Sequence, residues 1–333
     1  MSNVPLFPNN YPRAGQVALL CEGDLVGYES AFLGRWLREE PIDQRTVDVW
    51  PCGTANGLLA IADAMGRTVR VVVVEDRDFR TKTQAMKDCE VKLKDRNRRG
   101  VAMRGWTTWN RNEIENFFLD ESVMVPVMVE AFRCQDSDVL KARDIAIELL
   151  RPFQALQATL ASVRGEWSDT DPSRLSVASR PTWSPTGLQP VDFAELEKQL
   201  RGTCERWAQR LGDVRDLGNN VVATFKEKLD SSDSSARLPD EWMNNWAGKE
   251  ILKLVRMQIA SKFDAPLLSR GGKVPPVQWH ELRNNAERDA MDRDIERAIQ
   301  PLMIQRLWEF TTNEPDAPIR SDLRSLQTFL GAD

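Results

Sequence analysis

The chain is poor in the residues that most enzyme chemistry relies on. Its 333 residues include one histidine, His280. A Ser-His-Asp triad could draw on no other imidazole, and a multi-histidine metal site is impossible. His280 follows Trp279 near the Pro275-Pro276 turn and reads as structural. The five cysteines, Cys21, Cys52, Cys89, Cys134 and Cys204, form no close pair. That removes zinc-ribbon and disulfide-framework readings and leaves reduced, mostly buried thiols. No stretch approaches the ~18 consecutive apolar residues of a membrane span. Met1 to Tyr11 shows no charged-then-apolar signal pattern. The expected location is therefore cytoplasmic, with no membrane partner. No G-x-G-x-x-G follows the first strand, which disfavours a Rossmann enzyme. Neither Gly248-Lys249 nor Gly271-Gly272-Lys273 has the spacing of a P-loop, so the chain itself should not hydrolyse ATP. No internal repeat is present. Chemistry, if any, must rest on carboxylates, a metal and basic side chains.

The most informative segment is a run of four valines, Val71 to Val74, ending in Glu75, Asp76, Arg77 and Asp78. Four β-branched residues in a row read as a strand buried on both faces, as in a parallel sheet. Around it the N-terminal third alternates. Gln16–Glu22, Thr46–Cys52, Arg70–Glu75 and Val101–Thr107 read as strands, and Tyr28–Glu39 and Ala55–Met65 as helices, with Gly66 a candidate left-handed cap. Beyond Asn112 the pattern becomes helical: Val123–Arg133, Asp136–Leu160, Phe193–Leu211, Asp240–Phe263 and much of Trp279–Phe310. Trp167–Pro190 and Asp230–Ser235 read as connections. The expected fold is α/β, a small parallel-sheet core over 12–120 with a larger, mainly helical part over 121–333, some of which could return to the core.

Parallel strands bring their carboxyl ends to one edge, where open α/β sheets bind ligands. Three acidic segments fall there: Glu22-Gly23-Asp24, Asp76-Arg77-Asp78 and Glu113-Ile114-Glu115-Asn116. If the strand path continued, Asp76 and Asp78 would share a face and repel one another unless a cation such as hydrated Mg²⁺ lay between them. Glu113 and Glu115 are two apart, so on a helix only one would face a site. Between Arg77 and Arg99 the chain carries nine cations against Asp78, Asp88, Glu90 and Asp95. This segment reads equally as a phosphate-binding surface or as a solvated helix face. Trp106 and Trp109 are candidates for base stacking, with core packing the alternative. The net charge of −5 argues against coating by bulk nucleic acid while leaving room for such a patch.

Together these motifs resemble the toprim families. Glu22-Gly23 closing the first strand and Asp76-Arg77-Asp78-Phe79 after a later one are similar to the OLD-like branch and its DUF4435 relatives, as is Glu113-Ile114-Glu115-Asn116-Phe117. That group includes the toprim effector of the PARIS anti-phage system. The resemblance spans roughly 16 to 120, and it implies a Mg²⁺-dependent nuclease, with Mn²⁺ as a substitute metal. Glu22, Asp76, Asp78 and Glu115 would be catalytic, with Glu22, Asp76 and Asp78 holding metal. The family's further acid falls where this chain has Val26, so Asp24 or Glu29 would replace it. Arg77, Arg80, Lys82 and Lys249 would bind substrate. The implied role is a defence effector cleaving tRNA or other RNA to arrest translation, working with an ABC-type ATPase and as a homodimer when active. Two alternatives are an OLD-type DNA endonuclease or nickase and a catalytically degenerate domain serving as a binding or regulatory subunit of an ATPase complex. A haloacid-dehalogenase phosphatase fits less well, because Arg80 stands where that family needs Thr or Val.

Overall fold

The computed structural model describes residues 16–24, 26–42, 46–166, 182–184, 187–189, 192–211, 217–263 and 285–331. Expectations for Met1 to Tyr11, for His280, for Gly271-Gly272-Lys273 and for most of Trp167–Pro190 lie outside them. The chain is α/β. Strands β1 (Val17–Cys21), β2 (Val47–Pro51), β3 (Arg70–Glu75) and β4 (Met103–Thr108) alternate with helices α1 (Tyr28–Glu39), α2 (Ala55–Met65) and α3 (Lys82–Arg98). A 3-10 turn, Ile114–Leu119, leads into α4 (Glu121–Phe132) and α5 (Asp136–Glu166), and a short pair of strands, β5 (Thr182–Ser184) and β6 (Gly187–Gln189), follows. The rest is helical: α6 (Phe193–Leu211), α7 (Leu217–Ala236), α8 (Pro239–Asn245), α9 (Gly248–Ala260), α10 (Asn285–Asn313) and α11 (Pro318–Gly331). Two compact units result. The first takes 1–77, 81–110 and 307–333, and the second 78–80 and 111–306. The division differs from a single boundary near 120: the last helix belongs with the sheet, and the Glu113–Asn116 segment belongs with the helices.

In the first unit β1 to β4 form one parallel sheet in the order β2-β1-β3-β4. The two central strands, β1 and Val71–Val74 of β3, are apolar on both faces because both are covered, while β2 is half-buried throughout. Ala18, Leu20, Val71 and Val73 pack with Leu58, Ala62, Cys89 and Trp106 on one side. On the other, α11 lies on β4, with Phe329 so close to Gly105 that a Cβ there would sit 2.4 Å from its ring. Asn110 hydrogen-bonds Ser321 at 2.7 Å and also Asp322, which ties the end of the sheet to α11. Thr54 caps α2 through the Gly57 amide, and Thr81 and Gln84 form a reciprocal capping box on α3. Gly66 does not take the expected left-handed conformation; its φ is −65°. Its lack of a side chain serves packing instead, since a Cβ would lie 2.2 Å from Val101 Cγ1.

In the second unit α5 packs against α7 and α9, and α9 against the 3-10 turn. Asp230–Ser235, expected as a connection, is helical. Its serines turn their hydroxyls back onto helix carbonyls, Ser232 to Leu229 at 2.6 Å and Ser231 to Lys228 at 2.9 Å. Arg151 of α5 pairs with Asp233 at 3.1 Å, which adds a tertiary anchor absent from the local pattern. The expected helix over Asp240–Phe263 is two helices, α8 and α9, parted at Trp246-Ala247. Arg256, with 3% of its side chain exposed, pairs with Asp292 at 3.0 Å and Glu296 at 3.5 Å, joining α9 to α10.

Candidate functional site

The order β2-β1-β3-β4 places the topological switch point between β1 and β3, where the chain turns to opposite sides of the sheet. Glu22 follows β1 and Asp76 follows β3, so the two expected metal ligands of this unit flank that point, both part-exposed. The turn after β1 closes on the turn after β2: Gly23 and Gly53 exchange amide–carbonyl hydrogen bonds at 3.0 and 2.9 Å. Their φ angles of 87° and 79° lie in the region that favours glycine.

Glu29 stands on the first turn of α1, 5% exposed, and its Oε1 accepts a 2.6 Å hydrogen bond from Trp109 Nε1. The Cys21 thiol is pushed well above its ordinary range, first by burial and then by Glu29, Cys52, Asp76 and Glu22. Cys52 rises to about 12 through burial and then through Glu29, with Glu22 adding to it. Glu29 and Glu22 therefore place their negative charge on both thiols, and Asp76 on Cys21. Of the two candidates for the acid absent at Val26, Asp24 is exposed, and its carbonyl accepts from Gly27 N and Ser30 Oγ. Glu29 is inside, while Val26 itself is 73% exposed.

Among the described residues, no group of three or more His, Cys, Asp or Glu side chains is drawn together closely enough to hold a metal ion. The donors at the switch point are nonetheless carboxylate oxygens, the type Mg²⁺ takes, and that ion uses one or two carboxylates and keeps several waters. Glu22 and Asp76 fit that requirement.

After Glu75 the backbone leaves the strand path. Asp78 and Phe79 have φ of 50° and 63°. The expectation that a continuing strand sets Asp76 and Asp78 on one face is thus overturned. A left-handed non-glycine residue costs about 1–2 kcal/mol. Here Phe79 N donates to Asn112 Oδ1 at 2.7 Å, which helps hold the turn. The basic segment also divides. Arg77 is 4% exposed, so the substrate contact expected of it is not offered at the surface. Arg80 is half-buried and Lys82 exposed. Lys92 reaches both oxygens of Glu75 at 2.7 Å, and Arg96 pairs with Asp63 at 2.9 Å. Both cations lie over the Trp106 ring, at 5.2 and 4.9 Å. Trp106 and Trp109, at 2% and 0% exposure, are core residues rather than stacking platforms.

The second unit carries its own acidic pair. Asn116, fully buried, accepts from Glu113 N at 3.0 Å and donates to the Trp246 carbonyl at 2.8 Å. Arg111 Nη1 donates to the Asn116 carbonyl at 2.7 Å. Gly248 is pressed against Asn116, with room for no Cβ. Glu113 Oε2 accepts from Lys249 N at 3.0 Å at the start of α9. Burial, then the Glu115 charge, push the Glu113 carboxyl up to about 8. Burial raises Glu115 also, while the charges of Lys249 and Arg256 oppose the rise. Glu113 is the extended N-cap of the 3-10 turn and Glu115 lies in its first turn, so α-helical spacing does not relate the two side chains. Both sit near the exposed Lys249.

Several residues that shape these sites were not singled out from the sequence: Glu75 as an internal counter-ion, Asn112 as the clamp on Phe79, and Asn116 as the seat of α9. A polar Arg111-Asn112-Glu113 step directly before an Ile-x-x-Phe-Phe-Leu run was the available signal, since buried polar groups of this kind hydrogen-bond backbone. No protein-family model, curated protein or solved structure matches the chain.

Proposed function

We propose that the protein is a Mg²⁺-dependent phosphodiester hydrolase acting on nucleic acid, with RNA, tRNA in particular, favoured over DNA. The observation that carries this reading is the pair Glu22 and Asp76, on strands far apart in sequence, flanking the switch point of a fully parallel sheet. Bound there, Mg²⁺ would supply a Lewis acid for the phosphoryl oxygen and an activated water. Glu22 and Asp76 would hold it, and Glu29, anchored by Trp109, would keep the edge electronegative. The resemblance of their motifs also implies catalytic roles for Asp78 and Glu115 and a substrate-binding role for Lys249. Arg80 and Lys82 would place the substrate backbone. The resemblance further supports a cytoplasmic defence effector that works beside an ABC-type ATPase and as a homodimer when active.

The test is purified protein on tRNA, plasmid and single-stranded DNA with Mg²⁺, Mn²⁺ or EDTA, alone and with an ABC-type ATPase supplied. Metal-dependent cleavage that Asp76→Ala and Glu22→Ala abolish is expected. Cleavage untouched by either substitution, or none under any of these conditions, would overturn it and favour a binding subunit.

A further inference from the structure

The geometry points to the outer crest of α3 as a phosphate-backbone track that leads a nucleic acid from the amino edge of the sheet to its acidic carboxyl edge. The inference rests on the nucleic-acid substrate proposed above and names the surface that carries it.

Two stripes run along α3 with the same spacing of four, three and four residues. Ala85, Cys89, Lys92 and Arg96 form the inward one, and their two cations are used inside the unit by Glu75, Asp63 and the Trp106 ring. Two residues on, about 200° around the helix, come Lys87, Val91, Lys94 and Arg98, all exposed. These four residues carry three cations, and the carboxylates of Asp88, Glu90 and Asp95 flank them on the same helix. Lys87 and Arg98 have no ion pair among the described residues. Lys94 meets Glu90 at 3.6 Å with both side chains at least 65% exposed, a pairing that contributes little in water. Val91, 60% exposed, is the one apolar side chain on the crest.

The direction of the helix gives the crest its meaning. α3 starts just after the Asp76–Arg80 turn and ends where the chain enters β4, so it runs the length of the sheet, about 25 Å for its span. At its far end Arg99 is 65% exposed while pairing with Asp95 at 2.9 Å, and exposed Arg67 in the turn before β3 and Arg70, the first residue of β3, lie nearby in sequence. These two turns adjoin, since Ala102 N donates to the Gly66 carbonyl at 2.6 Å. Cations thus continue from the crest onto the amino edge. With Trp106 and Trp109 buried, this face offers charge and no aromatic platform. Its binding should depend on length and salt, and read no sequence.

The experiment measures affinity for a fluorescent RNA long enough to span the helix, and for a short one, by polarisation in EDTA across a salt series. It compares the full chain with the triple variant Lys87→Ala, Lys94→Ala, Arg98→Ala and with the charge-keeping variant Lys87→Arg, Lys94→Arg, Arg98→Lys. The triple variant should lower the log–log salt slope by about 2–3 and weaken long-RNA binding roughly tenfold or more at moderate salt, with the short RNA little affected. The charge-keeping variant should bind as wild type. Circular dichroism confirms that the exposed substitutions leave the fold intact. An unchanged slope, or equal displacement of RNA by polyglutamate of matched charge, overturns the track. Because binding is read without metal, a protein that binds through the crest and never cleaves defeats the nuclease reading alone. One that cleaves while the triple variant keeps wild-type slope and KM defeats the track alone.

Discussion

Gly248→Ala tests how the second unit seats its acidic pair. An added Cβ would lie 2.5 Å from the Asn116 backbone nitrogen and 2.8 Å from its Cγ and Oδ1. Asn116 is fully buried and cannot yield toward solvent. It accepts from Glu113 N and Arg111 Nη1 and donates to the Trp246 carbonyl, so any shift loosens three hydrogen bonds at once. Overpacking of this kind costs about 1–3 kcal/mol. Each weakened neutral hydrogen bond adds about 1 kcal/mol, and the arginine bond more. Alanine's better helix propensity returns less than about 1 kcal/mol at the first helical position. The expected net loss is about 2–4 kcal/mol, read as a lower urea midpoint at unchanged slope. Lys249→Ala next door removes an exposed side chain while leaving the backbone amide that Glu113 uses, and should cost about 0.5 kcal/mol or less. In the double variant Asn116→Ala, Gly248→Ala the two losses should fall somewhat short of additive, because the side-chain part of the clash is gone while the contact with the backbone nitrogen stays. A Gly248→Ala protein within about 0.5 kcal/mol of wild type would refute this seating of α9.

Glu75→Ala leaves the buried Trp106 N–H without its acceptor and frees Lys92, whose side chain, 26% exposed, can swing toward water. A loss of about 2–4 kcal/mol by urea denaturation is expected, with Glu75→Gln recovering part of it; a loss below about 1 would contradict the network. Glu113 is raised in the folded protein, so the fold binds more protons than the unfolded chain between the ordinary carboxyl range and about 8. Its contribution is fully present below that window and is lost as pH rises through it. In EDTA the melting temperature should fall from pH 5.5 to 8.5, and Glu113→Gln should flatten that slope; an equal slope in both proteins would contradict the assignment. Asn112→Ala removes the acceptor for Phe79 N and should cost about 1–2 kcal/mol by denaturation while raising amide exchange at Phe79 and Arg80. Unchanged exchange would show that the turn is held without Asn112.

The parallel sheet was legible because it is written locally. Val71 to Val74 can be apolar throughout only if both faces are covered, and the Tyr28–Glu39 and Ala55–Met65 helices carry their own periodicity and stops. The carboxyl-edge position of Glu22 and Asp76 followed from strand direction. Arg77 read as a substrate contact and proved to be interior, and Trp106 and Trp109, open between base stacking and core packing, proved to be core, since nothing in a cationic run says which members have internal partners. Gly66 illustrates the same limit: its neighbour Val101 is 35 positions away, and only that contact explains the missing side chain. The serine-rich end of α7 looked like a loop because the anchoring Arg151 sits 82 positions upstream.

By itself the sequence determined the four strands of the parallel sheet and the first two helices between them, the carboxylate-and-cation chemistry available without histidine, and that Glu22 follows the first strand and Asp76 the third. Those follow from short-range rules: side-chain periodicity, β-branching, caps and chain direction. Only the tertiary structure decided that the final helix returns to β4, that Glu29 comes to lie by Cys21 and Cys52, and that Glu113 through Asn116 are seated on α9. It also separated the cations of α3 into an inner set neutralised by Glu75 and Asp63 and an outer set left to solvent. The physical reason is common to all of these. A charge, a glycine or a tryptophan takes its role from the groups packed against it, and those groups lie tens to hundreds of residues away along the chain.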